Sequence, residues 1–180
     1  PLFVFFFHAV DGIRVRLVTG VQPCALPIFM QLGLFPFCTD YSMPIDRLAI
    51  AAEERGFDSI WLPEHTHIPA ARETPYPGGG DLPMEYSHTL DPFVALAIAA
   101  GVTKNLKLAT GICLVIEHQV LTLAKTVATL DHISNGRVLL GLGAGWNREE
   151  MENHGTDYTT RFRKLEEQMI ALREIWTNDE

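Results

Sequence analysis

The spacing of hydrophobic residues changes several times along the chain. "MQLGLFPF", from Met30, is a short apolar run and reads as a buried strand. From Ile45 the period lengthens. Ile45, Leu48, Ala49 and Ala52 fall on one helical face, with Ser42 placed to cap the helix, Pro44 in its first turn and Gly56 as its stop. "SIWL", Ser59 to Leu62, predicts the second strand. Asp91-Pro92 opens the next helix, whose apolar face is Phe93, Leu96, Ala97 and Ala100 and whose end is Gly101. "LKLATGICLV" predicts a third strand, and Val120, Leu123, Val127 and Leu130 stripe a helix that stops at Asn135-Gly136. "RVLLGLGAG" is the fourth strand. Phe162, Leu165, Met169, Leu172 and Trp176 then recur at helical spacing to the end.

Strand and helix thus alternate about four times, and the strands are apolar along their length, as in a parallel sheet covered on both faces. An open doubly wound sheet and part of a (β/α)₈ barrel both fit. A complete barrel takes about 250 residues, so residues 30–180 are expected to be the N-terminal half of a TIM barrel, about four βα units, truncated at the C-terminus. Residues 1–29 have no clean period and lack the basic flank that opens a signal peptide. They resemble a translated sequencing adapter and are read as a non-native tail joined to a start at Met30. A genuine extension or an extra strand is the alternative.

Composition narrows the function classes. With 180 residues and 47% hydrophobic content the chain can bury one globular core. A formal net charge of −8 argues against nucleic acid or an anionic membrane as partner. No apolar run reaches the roughly 18 residues of a membrane helix. Cys24, Cys38 and Cys113 share no metal-like or disulfide-like spacing, which fits a reducing, cytoplasmic setting.

Parallel α/β folds place ligands beyond the carboxyl ends of their strands. Three polar or glycine-rich stretches fall there. After "SIWL" come Glu64, His65 and His67. A histidine there can act as general acid or base with a carboxylate to tune it, or both can be solvated in a surface loop. His65-x-His67 could instead share a zinc ion, with His88, His118 or His154 as further ligands, though none of these follows a strand directly; no metal is expected. In the third strand, Thr110-Gly111-Ile112 marks a bulge or a backbone pressed against a ligand, or a simple kink. After the fourth, Gly143-Ala144-Gly145-Trp146-Asn147 is not a dinucleotide fingerprint, because Trp146 follows Gly145. The glycines still permit close approach to a planar or phosphorylated ligand, the alternative being a turn without one. The proline-rich connection from Pro63 to Leu90 reads as a lid or binding loop, with disorder as its competitor. Tyr76, Tyr86 and His88 are its candidate substrate contacts.

In order and spacing, "MQLGLFPF", "AAEERGFDSIWLPEHTHIP", "LKLATGICLV", "LAKTVATLDHISNGRVLLGLGAGWNREEM" and "RFRKLEEQMIALREIW" together resemble the luciferase-like monooxygenase superfamily, most closely its branch using the deazaflavin coenzyme F420. The resemblance implies a (β/α)₈ barrel and an oxidoreductase that transfers a hydride between F420 and a small organic substrate. It places Glu64-His65 near the reactive ring carbon, with His65 exchanging a proton and Glu64 setting its charge and orientation. It implies a non-prolyl cis peptide at Gly111-Ile112, and cofactor contacts from Thr110, Gly111, Ile112, Gly143, Ala144, Gly145, Trp146 and Asn147. Some sugar-phosphate-oxidising relatives carry a carboxylate directly after that last glycine, where this chain has Trp146. An FMN-dependent monooxygenase using reduced flavin and oxygen is the alternative within the family. An inactive gene fragment, or a zinc-dependent barrel hydrolase using His65 and His67, is the alternative of another class. The 180-residue chain itself is expected to be inactive, and a full-length form is expected to be a homo-oligomer with no nucleic-acid or membrane partner.

Overall fold

The computed structural model describes residues 5–8 and 30–178. Its strands are β1 (Phe5–His8), β2 (Gly33–Leu34), β3 (Ser59–Leu62), β4 (Lys107–Leu114) and β5 (Val138–Gly143). Its helices are α1 (Ile45–Glu54), α2 (Pro92–Val102), α3 (Val120–Ile133), α4 (Arg148–Asn153) and α5 (Arg161–Thr177). The sheet order is β1-β5-β4-β3-β2. Strands β2 to β5 are parallel to one another, and β1 runs antiparallel to β5. The parallel strands succeed one another across the sheet in chain order, each joined to the next by a helix. A doubly wound sheet reverses direction at a switch point; this one does not, which is the progression of a βα barrel. The reading of residues 1–29 as a non-native tail lies outside the described residues, except that the backbone of Phe5–His8 forms the antiparallel edge.

Register separates the two faces of the sheet. Ile60, Leu108 and Val138 stand side by side, as do Leu62, Thr110 and Leu140. These residues are buried, and the apolar ones form a core with Ala49 of α1, Leu96 of α2, Val127 of α3 and Leu172 of α5. Fully burying a leucine or isoleucine side chain stabilises by about 1.5–3 kcal/mol, so this helix-covered face dominates the fold's stability. The opposite face carries Trp61, Ala109 and Leu139 in register, and Trp61 and Leu139 are only half-buried. The described helices therefore cover one face, whereas the unbroken apolar strands suggested cover on both.

Three local expectations are corrected. "MQLGLFPF" contributes a strand of two residues, with Leu32 48% and Phe35 53% exposed. It lies at the sheet edge, and Pro36 has no N–H to extend the ladder. Ser42 does not cap α1; its hydroxyl accepts from the Thr39 N–H (2.9 Å) and donates to the Thr39 carbonyl (3.0 Å), closing the turn before the helix. Phe162 does not join the core stripe of α5; it is 50% exposed, with the Arg161 guanidinium 4.3 Å from its ring centre. Gly101 lies within the last turn of α2 and Pro44 just before α1, while two other punctuation signals act as expected. Asp91 Oδ1 accepts the Val94 N–H at 2.8 Å and caps α2. Asn135 and Gly136 both take positive φ just past α3.

Candidate active site

Glu64 and His65 continue the alternation of β3 past its end. Glu64 follows Ile60 and Leu62 toward the helix-covered side, while His65 follows Trp61 toward the other. Glu64 is buried, and its carboxylate accepts the Leu114 N–H at 2.6 Å and meets His118 Nε2 at 2.8 Å. Burial pulls the His118 imidazole down, but the hydrogen bond and charge of Glu64, with Asp91 beyond, outweigh it and hold the imidazole above its ordinary range. The expected pairing of Glu64 with His65 is therefore corrected: adjacent residues on an extended chain point opposite ways.

The carboxylate on His65 comes from α4. Glu150 Oε2 lies 2.7 Å from His65 Nδ1, and Glu150 Oε1 accepts the Thr66 N–H at 3.0 Å. Both side chains are almost fully buried, at 7% and 1% exposure. Around the imidazole stand Tyr86 (ring centres 5.2 Å apart) and Trp146 (5.8 Å). Tyr76 packs against both, at 5.3 Å and 6.1 Å, and its hydroxyl accepts from Tyr86 at 3.4 Å. Burial first, and Tyr76 second, push the Tyr86 phenol well above its ordinary value. The Arg72 guanidinium sits 5.6 Å from the Trp146 ring centre. The Glu149 carboxylate accepts the N–H groups of Glu73 and Thr74, each at 3.1 Å, and pins the connection against α4. The segment from Pro63 to Leu90 is thus folded onto the loop after β5, bringing Tyr76 and Tyr86 to His65 and Trp146. His88 stays apart from this group, bonded to Asp40 (3.0 Å) and set edge-on to Tyr41.

The glycine stretches converge on the same end of the sheet. The Gly111–Ile112 peptide is cis. Register shifts between Thr110 and Cys113, so Gly111 and Ile112 together oppose Gly141. The Thr110 hydroxyl accepts the Gly141 N–H (3.0 Å) and donates to its carbonyl (2.9 Å). Thr110 was expected to touch a cofactor; it is 1% exposed and is committed to repairing the bulge between β4 and β5. A Cβ on Gly143 would overlap Ile112 Cδ1, so the residue after the cis peptide needs glycine opposite it. Gly145 has φ +70°, a conformation that favours glycine, and it turns the chain over Leu114 to present Trp146. Ala144 is buried beneath. Asn147 precedes α4, is 2% exposed, and neither its amide oxygen nor its nitrogen has a hydrogen-bond partner. A buried amide without partners is costly, so a ligand group supplying a donor and an acceptor suits this position.

His65 and His67 do not converge on a common ion. His67 bonds to Thr66 Oγ1 and Asn153, each at 2.9 Å, and packs on His154. The metal-type grouping found among the described residues is Glu64, Cys113 and His118 instead. Two ionisable residues of the site, Glu150 and Glu117, escaped the sequence reading, and His118 entered it as a zinc-ligand alternative rather than as the partner of Glu64. Glu117 is 1% exposed at its side chain, and its Oε2 lies 3.7 Å from His154 Nε2. Burial, then the charges of Glu150 and Glu64, push its carboxyl up to about 9, against the downward pull of Lys164.

A sheet with this progression and this strand-end site defines a barrel-type α/β protein of which about half is present. The sequence model of luciferase-like monooxygenases matches residues 42–180, and the chain belongs to that family. An uncharacterized protein of Mycobacterium tuberculosis is 43% identical over 154 residues, covering 84% of this chain and 55% of that protein. The F420-dependent glucose-6-phosphate dehydrogenase of Amycolatopsis mediterranei is 30% identical over 135 residues, covering 73% of this chain and 37% of that protein. Among solved structures, the oxygenating constituent of 3,6-diketocamphane monooxygenase from Pseudomonas putida, in complex with FMN, superposes with a TM-score of 0.66 at 24% identity. It covers 83% of this chain and 40% of that one, and shares the fold. The chain spans about half the length of the M. tuberculosis relative.

Proposed function

We propose that the protein carrying this sequence is an oxidoreductase that transfers a hydride between coenzyme F420 and a small organic substrate, with His65 as general acid–base. The carrying observation is the placement of His65. It is anchored through Nδ1 to a buried carboxylate while Tyr86 and Trp146 stand at its ring, at the strand ends where a barrel binds its ligand. The name of the A. mediterranei relative supports F420. The residues present suit a polar, ring-containing ligand: the cis peptide at Gly111-Ile112 and the glycine loop from Gly143 to Gly145 meet at the strand ends, and Asn147, which follows that loop, offers an unpartnered amide. Bound there, the deazaflavin supplies the hydride exchange. The chain's residues do the rest: Gly111, Ile112 and the loop from Gly143 to Asn147 hold and orient the ring, Trp146 and Tyr86 limit water, and His65 holds or releases a proton.

A second reading, FMN-dependent monooxygenation, draws on the P. putida structure of this fold, which is in complex with FMN. Trp146 stands where some sugar-phosphate-oxidising relatives carry a carboxylate, so their substrate chemistry does not transfer directly.

The role of His65 is tested by His65→Ala in this chain joined to the part of the M. tuberculosis relative that it does not match. Turnover is expected to fall about 10²- to 10⁴-fold with cofactor affinity nearly unchanged. Unchanged turnover removes His65 from the mechanism.

A further inference from the structure

We infer that Glu150 is the positioning residue for His65: it fixes which imidazole nitrogen carries the proton, leaving Nε2 to exchange one at the site. The inference rests on the reading of His65 as acid–base for its consequence, but its geometry stands independently.

Glu150 lies three residues after Asn147, which precedes the first turn of α4. An acid there commonly folds back onto its own helix's first N–H. Here it reaches across to the end of β3, 85 residues away in sequence. Its two oxygens are divided between two donors. Oε1 takes the Thr66 N–H, a main-chain group that can only donate. Oε2 faces His65 Nδ1 at 2.7 Å, and an ionised carboxylate can only accept, so Nδ1 must carry the proton. Neutral His65 is therefore held as the Nδ1–H tautomer, with Nε2 free to accept. When His65 is protonated, the carboxylate balances its charge. Because Thr66 adjoins His65, the two bonds also fix the backbone from which the imidazole projects.

The surroundings keep Glu150 in that role. Glu117, from the short 3₁₀ turn Val115–Glu117 after β4, is the neighbouring acid, and Glu64 also acts on it. Two acids buried near each other avoid a double charge by one retaining its proton. Glu117 retains its proton at neutral pH. Lys164 of α5 and His154 after α4 face Glu117, while His118 takes the charge of Glu64. The cluster thus assigns one carboxylate to each neighbouring histidine, Glu150 to His65 and Glu64 to His118.

The discriminating variant is Glu150→Gln, which is isosteric. A glutamine offers one acceptor oxygen and one donor NH₂. The Thr66 N–H requires the oxygen, so the NH₂ faces Nδ1 and donates to it. The proton on neutral His65 then moves to Nε2. Long-range ¹⁵N–¹H spectra of the ¹⁵N-histidine-labelled 180-residue chain, assigned with His65→Ala, read the tautomer directly. Expected are an Nδ1–H tautomer for His65 in the parent and an Nε2–H tautomer in Glu150→Gln. Glu64→Gln serves as the control and should perturb His118 while leaving His65 as Nδ1–H. An Nε2–H tautomer in the parent, an unchanged His65 in Glu150→Gln, or a His65 that switches with Glu64→Gln would each overturn the inference.

These spectra need no cofactor or turnover. The acid–base reading can fail through an active His65→Ala while the tautomer result stands. If both hold, Glu150→Gln lowers kcat with little change in KM. A carboxylate-to-amide change that reverses the tautomer of a catalytic imidazole costs about 10⁴-fold in the best-studied triad.

Discussion

At the scale of single residues, the site is governed by how buried charge is divided. Glu117 is the residue where this division costs stability. Its carboxyl is held at about 9 in the folded protein, against an ordinary value near 4.5. The folded state therefore keeps a proton that the unfolded chain releases, so stability falls as pH rises through this interval and levels off above it. Each unit of such a shift corresponds to about 1.4 kcal/mol. Glu117→Gln, which is neutral at all pH, is expected to be more stable than the parent by on the order of 2 kcal/mol at pH 8 and nearly equal to it at pH 4. Urea unfolding midpoints at the two pH values measure this. A variant destabilised at pH 8, and more so than at pH 4, would show that Glu117 is ionised in the fold and holds a partner through its charge.

At the scale of elements, β4 and β5 set the site's shape. The bulge opposite Gly141 and the Thr110 hydroxyl that repairs it place Ile112 directly over Gly143. Gly143→Ala is expected to destabilise by about 1–3 kcal/mol, the usual cost of overpacking, and Ile112→Val in the same chain should recover part of it by removing the overlapping Cδ1. Urea midpoints of the single and double variants decide the matter, and a Gly143→Ala protein as stable as the parent would contradict the packing described. The elements themselves were largely legible in sequence. The stripes of α1, α2, α3 and most of α5 coincide with buried faces, and "SIWL", "KLATGICL" and "VLLGLG" are strands because their apolar runs are short and β-forming. Element α4 was not legible, since six residues rich in glutamate carry no helical period. For the same reason Glu150 could not be distinguished from Glu149 and Glu152, which sit in the same acidic run. Adjacency suggested Glu64 as the partner of His65, and the two-residue period of an extended chain rules that out. A bond joining residues 85 apart is visible only once the sheet has brought β3 and α4 together.

At the scale of the whole molecule, the sheet is finished on one side and open on the other. The helix-covered face carries a continuous core, while Trp61 and Leu139 lie half-buried opposite, and β2 closes the sheet with Leu32 and Phe35 exposed. None of the described helices is long and apolar enough to cross a membrane. In a barrel the open face is where further strands complete the interior, and the loops after its last strands often hold phosphate. The account's central claim is that the strand-end site takes a deazaflavin, and the most direct test joins this chain to the unmatched part of the M. tuberculosis relative and titrates it with F420 and with FMN, following fluorescence. The account predicts saturable F420 binding at least about tenfold tighter than FMN, a difference of about 1.4 kcal/mol. Tight FMN binding with no measurable affinity for F420 would contradict it.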